Sequence, residues 1–297
     1  MKVTLVGFGM MGRQIAQVFA QNGNQVTATD EDQNALKSGI DDIANGPYGL
    51  HAAVSKGKLT PEQANKALAN IKTSPTLREA CKDSNLVIEA AFENLPLKQD
   101  LFQKIEQAAP PTATIASNTS TLSINDISSK TSNRDKVVGM HFFNPAQTTR
   151  LVEVIRGSAT SSETVQKAFE VVRDIGKTPV LARDEPGFIA NRLGLALYVE
   201  ASRLLEDGIA DLNDIDTCMK LGYNHPMGPF ELADFVGLDT RLRNLESLHS
   251  ATNDSKWIPP KILREMVQQG YVGDPVRKRG SKGGYYQYLQ KKEDTNP

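Results

Sequence analysis

KVTLVGFGMMG, residues 2–12, is the stretch whose reading decides the fold. A short apolar run of strand type meets three glycines, Gly7, Gly9 and Gly12, and an amphipathic helical stretch follows over 11–22. Gly7 permits a tight strand-to-helix turn, Gly9 lets a pyrophosphate approach the backbone, and Gly12 lets the helix pack close to the strand. The free N–H groups at the helix start then face the phosphates. Alone, such a hexapeptide is weak evidence. Its context is stronger, because the next strand-like run, QVTAT at 25–29, leads into Asp30. That carboxylate is placed to accept hydrogen bonds from an adenosine ribose. A 2′-phosphate there would meet like charge from Asp30, Glu31 and Asp32, so NAD is favoured over NADP.

Outward from this unit, apolar runs alternate with helical stretches. Strands are expected at 86–89, 113–116, 136–140, 151–155 and 178–182, and helices at 31–44, 61–70, 96–108 and 162–175. Alternation of this kind predicts a doubly wound, mostly parallel α/β sheet of Rossmann type over residues 1–183. Residues 31–70 carry helical spacing for longer than one crossover needs. They read as helix–loop–helix, broken at ANGPYG (44–49). After residue 183 the pattern changes. A helix opening after EPGF and ending at Gly208 is followed by helices near 211–221, 229–249 and 259–269, with no convincing strand. Residues 184–297 therefore read as a separate all-helical domain, with a frayed KKEDTNP tail.

At 297 residues, two domains are the natural expectation. The net charge of −1 gives no bulk electrostatic case for nucleic acid. No apolar run is long enough to span a membrane. The two cysteines, Cys81 and Cys218, lie far apart and have no metal-ligand spacing, so no metal is expected. With no leader-like N-terminal stretch, a cytoplasmic protein is the default.

A dinucleotide site in such a sheet lies at the carboxyl ends of the strands. Glu89 and Glu93 follow one expected strand, Asn118 and Ser120 another, and His141 and Asn144 a third. Glu153 stands between Val152 and Val154, where alternation points it either to solvent or into a cleft. A carboxylate that holds one imidazole nitrogen raises the basicity of the other, so His141 and Glu153 can form a general-base dyad. The bland alternatives are a strand-end histidine and a solvated glutamate. Ser120 also suits a turn, and Asn191, just after PGF, suits a helix cap.

Taken together, VTLVGFGMMGRQIAQVFA, LVIEAAFEN, ASNTSTLSI, GMHFFNPAQTTRLVEVIRG, PGFIANRL and MKLGYNHPMGPFELADFVGLD resemble, in order, the 3-hydroxyacyl-CoA dehydrogenase family. The likeness is greatest to its bacterial 3-hydroxybutyryl-CoA members and covers nearly the whole chain. The resemblance implies an oxidoreductase of fatty acid metabolism that converts (S)-3-hydroxyacyl-CoA to 3-oxoacyl-CoA with NAD, on short chains. It implies His141 as acid/base, Glu153 as its orienting partner, and Ser120 and Asn191 as polar contacts to the substrate. Glu93 and Lys98 become the NAD-contacting pair, Asn144 a support near the nicotinamide, and Lys56 in VSKGKL a contact to coenzyme A phosphate. It also implies that the helical domain forms a homodimer.

Two departures stand out. After HFFNP the family has an apolar run and then lysine, where this chain has Gln147, Thr148, Thr149 and Arg150. Either these residues face solvent or coenzyme A, or they admit a carboxylate-bearing acyl group of the 3-hydroxyadipyl type. The segment GDPVRKRGSKGGYYQY (273–288) is longer than the family's ending, which puts the last packing turn in question. Three rival readings remain: a lysine-dependent β-hydroxyacid dehydrogenase with no coenzyme A, a serine hydrolase, and an NAD-binding scaffold without activity. The hydrolase lacks a nucleophile elbow around Ser120.

Overall fold

The chain is described from a computed structural model that covers residues 1–295; Asn296 and Pro297 of the tail lie outside the described residues. Contacts divide it into two units, 1–188 and 189–297.

In the first unit, β1 (Lys2–Val6) leads through α1 (Met10–Gln21) to β2 (Gln25–Thr29). Three helices follow, α2 (Gln33–Asn45), α3 (Leu50–Ser55) and α4 (Pro61–Ala69). The expected break at ANGPYG is present, and a second one, at residues 56–60, splits off α3. The short β3 (Ile71–Thr73) was not anticipated, because three residues carry no periodic signal. Then come α5 (Leu77–Cys81), β4 (Leu86–Glu89), α6 (Leu95–Ala108), β5 (Thr114–Ser117) and α7 (Ile124–Ile127). The unit closes with β6 (Val137–Phe142), β7 (Leu151–Arg156), α8 (Ser162–Asp174) and β8 (Thr178–Arg183).

The eight strands lie in the order β3-β2-β1-β4-β5-β6-β7-β8. All neighbours are parallel except β6 and β7. Every residue of β4, β5 and β6 is buried, as expected of strands covered on both faces. The strand order reverses between β1 and β4, which places the crevice for a ligand above their carboxyl ends. The antiparallel β6–β7 hairpin sets residues of two strands directly opposite one another on that rim, with His141 facing Glu153 in register.

The second unit contains α9 (Ala190–Glu206), α10 (Leu212–Thr217), α11 (Pro229–Val236), α12 (Leu238–Thr252), α13 (Lys261–Gln268) and α14 (Tyr285–Thr295). One helix was expected over 229–249, and Gly237 divides it. Its φ of +106° suits only glycine, and a Cβ there would fall 2.1 Å from Lys278 Cε. Tyr198, Phe230 and Tyr285 form an aromatic core, with Phe230 and Tyr285 centroids 4.6 Å apart. The longer C-terminal segment closes through a Gly273–Gly283 bridge, with Ser281 Oγ donating to the carbonyl of Gly273 at 2.7 Å. The last turn therefore packs. Among the described residues no helix is long and apolar enough to cross a membrane.

Candidate active site

At the glycine corner, Gly7 has φ +91°, and a Cβ on it would sit 2.8 Å from the backbone of Ala90 and Ala91. A Cβ on Gly12 would fall 1.9 Å from the Gly7 carbonyl oxygen. Both glycines are demanded by the chain's own packing. Gly9 is different: a Cβ there would meet nothing within 4 Å. The space above the start of α1 is open, and neither a capping side chain nor an acidic residue of the first turn competes for it. The corner therefore fits a pyrophosphate held by helix N–H groups. At the end of β2, the Asp30 carboxylate accepts from Phe8 N at 2.6 Å and Asp32 N at 2.9 Å. It braces the glycine loop, and each oxygen keeps a lone pair for a ribose hydroxyl.

Beside this corner, Glu89 ends β4 and is fully buried. Its Oε1 accepts from Lys98 Nζ at 2.5 Å and Ala91 N at 2.6 Å, and its Oε2 from Ser117 Oγ at 2.7 Å. Lys98 also reaches Glu93 Oε2 and the Ala91 carbonyl, both at 3.3 Å, so its three protons are spent inside the protein. The Glu93 side chain, 37% exposed, accepts from Thr119 Oγ1 and from the amides of Ser120 and Thr121, each at 3.2 Å. Burial opposes its charge, but Lys98 and these donors outweigh burial and hold the carboxyl below the usual range. Glu93 thus shapes the loop that carries Ser120.

On the hairpin, His141 Nδ1 lies 2.8 Å from Glu153 Oε2, and both residues are buried. An ionised carboxylate only accepts, so Nδ1 carries the proton and Nε2 keeps a lone pair. Among the described residues nothing bonds Nε2. Glu153 points inward, not to solvent. The amide of Phe142 donates to Asn118 Oδ1 at 2.9 Å, which ties the end of β6 to that of β5.

Three polar residues that sequence reasoning missed frame the turn after His141. Gln14, on α1, donates to Asn144 Oδ1 at 3.1 Å and accepts from Ala146 N at 2.7 Å. The helix of the glycine corner is thereby fastened to the HFFNP turn. Gln17 accepts from Gln147 Nε2 at 3.0 Å. Lys177 donates to the carbonyls of Ala146 and Thr149, both at 2.6 Å, and burial lowers its pKa. The signal for Gln14 and Gln17 was their place three residues apart among buried α1 residues. Lys177 had none.

Gln147 and Thr148 line a cleft of about 490 Å³ with Gln17, Tyr48, Lys56 and Lys58. Two residues of the polar departure therefore share a cleft with two exposed lysines. Asn191 is the second residue of α9, in the second unit. No cluster of metal-binding type occurs among the described residues.

Comparisons with known proteins follow the same division. Residues 2–185 match the model of the 3-hydroxyacyl-CoA dehydrogenase NAD binding domain, and 187–288 match that of its C-terminal domain. A Deinococcus radiodurans protein named "Probable 3-hydroxybutyryl-CoA dehydrogenase" is 42% identical, across 97% of this chain and 100% of the relative. The 3-hydroxybutyryl-CoA dehydrogenase of Clostridioides difficile is 38% identical, across 97% and 99%. The crystal structure of (S)-3-hydroxybutyryl-CoA dehydrogenase from Ralstonia eutropha superposes with a TM-score of 0.88 at 38% identity, covering 96% of this chain and 99% of that one.

Proposed function

Because this chain belongs to the 3-hydroxyacyl-CoA dehydrogenase family and is an NAD-dependent oxidoreductase, we propose that His141 is its acid/base and short-chain 3-hydroxyacyl-CoA its substrate. The observation that carries the proposal is the buried His141–Glu153 pair, with Nε2 unspent, on a turn that Gln14 fastens to the cofactor helix. NAD bound at the glycine corner would supply the acceptor for the hydride of C3. His141 Nε2 takes the 3-hydroxyl proton, and Glu153 stabilises the imidazolium that results. General-base catalysis of this kind contributes roughly 10²–10⁴-fold. Gly7, Gly9, Gly12 and Asp30 would hold the dinucleotide, Glu93 and Lys98 shape the rim beside it, and Asn144 supports the turn. Ser120 and Asn191 serve as the polar contacts to the substrate.

Lys56 and Lys58 supply positive charge for the coenzyme A phosphates. Gln147 and Thr148 lie in that lysine cleft, which supports reading the polar segment as a coenzyme A contact rather than a pocket for an acyl carboxylate. The protein works in this reading as a cytoplasmic homodimer.

NADH oxidation with acetoacetyl-CoA, free acetoacetate and 3-oxoadipyl-CoA tests this. Acetoacetyl-CoA turns over at least ~10-fold better than either of the others, by kcat/KM. Equal use of free acetoacetate would remove coenzyme A from the account, and preference for the dicarboxylic thioester would move Gln147–Arg150 to the acyl pocket.

A further inference from the structure

Between β8 and α9 the chain makes an unusual passage. Gly187 has φ +75° and Phe188 has φ +49°. A left-handed conformation is ordinary for glycine, but for a bulky aromatic it is a strained exception that persists only where the surroundings impose it. Two features impose it here. Asp184 accepts from Ser123 Oγ at 2.8 Å and from the amides of Ile124 and Asn125 at 2.9 and 2.8 Å, which pins the start of the segment to α7. The Phe188 amide donates to the Glu185 carbonyl at 3.0 Å, which closes the turn. The side chain so delivered is buried, in the apolar cluster that also holds Ile124, Ile127 and Ile155. Its ring centroid lies 5.9 Å from that of His141, and Phe143 packs on the same imidazole at 4.4 Å.

We propose that Phe188 is a positioning residue for His141. Its ring, with that of Phe143, limits rotation of the imidazole about the Nδ1–Glu153 bond and so fixes the direction of Nε2. One hydrogen bond holds a ring at a point; the two aromatic contacts add the restraint on its plane. The strained backbone is what brings the Phe188 ring up to the imidazole.

The inference rests on His141 being the acid/base. The test is therefore a double-mutant cycle in the full chain, with acetoacetyl-CoA and NADH. Phe188→Leu keeps apolar bulk and lowers kcat about 10-fold or more, as misplacement of a reacting group does. KM for both substrates stays within about twofold, and Phe188→Tyr restores most of the rate. On a His141→Ala background, Phe188→Leu has no further effect. Phe143→Leu, tested in parallel, gives the same pattern should Phe188→Leu fold poorly. An unchanged kcat in Phe188→Leu, or an equal loss with and without His141, overturns the proposal and leaves the enzyme reading standing. No turnover by the parent would instead overturn the reading beneath it.

Discussion

Two buried acid–base pairs sit on the same rim of the sheet, and they differ in what each leaves unbonded. Glu89 and Lys98 are 0% and 1% exposed, and Glu153 and His141 are 1% and 6% exposed. In the first pair every lysine proton has an acceptor: Glu89, Glu93 and the Ala91 carbonyl. The Glu89 carboxylate is equally committed, to Lys98, Ala91 N and Ser117. In the second pair the carboxylate takes one imidazole nitrogen and leaves the other with a lone pair. Burial of an ionisable pair does not by itself mark a reaction centre. The unspent position on one of its members is what the proposed role of His141 rests on.

The largest expected effect concerns the structural pair. Lys98→Met leaves Glu89 buried without a counter-charge and destabilises the protein by about 3–5 kcal/mol, while Glu89→Gln with Lys98→Met recovers most of that loss. Denaturant titration reads both, and no loss in the single variant would mean the pair is not structural. Glu153→Gln is the converse: stability changes little, and kcat falls about 10²-fold because the imidazolium loses its counter-charge. If instead the melting temperature collapsed and kcat per folded molecule held, the two pairs would be alike. Lys56→Ala raises KM for acetoacetyl-CoA about 5–10-fold without changing kcat, and the difference shrinks as salt is added. A salt-independent KM would take Lys56 out of phosphate binding.

A last effect, of similar size, lies away from both pairs. Burial, helped by Asp216 and Asp274, raises the Asp234 carboxyl to about 7, well above the usual carboxylate range, against the pull of the Tyr285 amide. A raised folded pKa favours the protonated form. The associated stability is full below the unfolded value and is lost as pH rises through about 7. Asp234→Asn should flatten that dependence between pH 4 and 8 and gain roughly 1–2 kcal/mol at the alkaline end. An unchanged pH profile would contradict it.

How much of this was legible in the sequence follows from how each part is built. The glycine corner is made of backbone, and its strand–glycine–helix order is written locally, with Gly12 close against the Gly7 carbonyl, although Gly7 also abuts Ala90 and Ala91 after β4. That local order is enough to give the strand-to-helix corner and, with the alternation around it, the mostly parallel sheet. The hairpin is made of side chains brought together by register. His141 and Glu153 were named from chemistry, but only the antiparallel β6–β7 pairing decides that Glu153 points inward. Gln14 escaped because its partner is 130 residues away, and Lys177 because its acceptors are backbone carbonyls, which leave no trace in sequence. β3 was too short for any period to show, and the break at Gly237 lay inside a convincing helical pattern.

The proposed chemistry depends most directly on His141 Nε2 as the atom that moves the substrate proton. The measurement is NADH oxidation with acetoacetyl-CoA by the parent and by His141→Ala, with NADH binding titrated in both. The expected result is a fall in kcat of about 10³-fold or more with NADH affinity unchanged within about twofold. Turnover by His141→Ala close to that of the parent would contradict it.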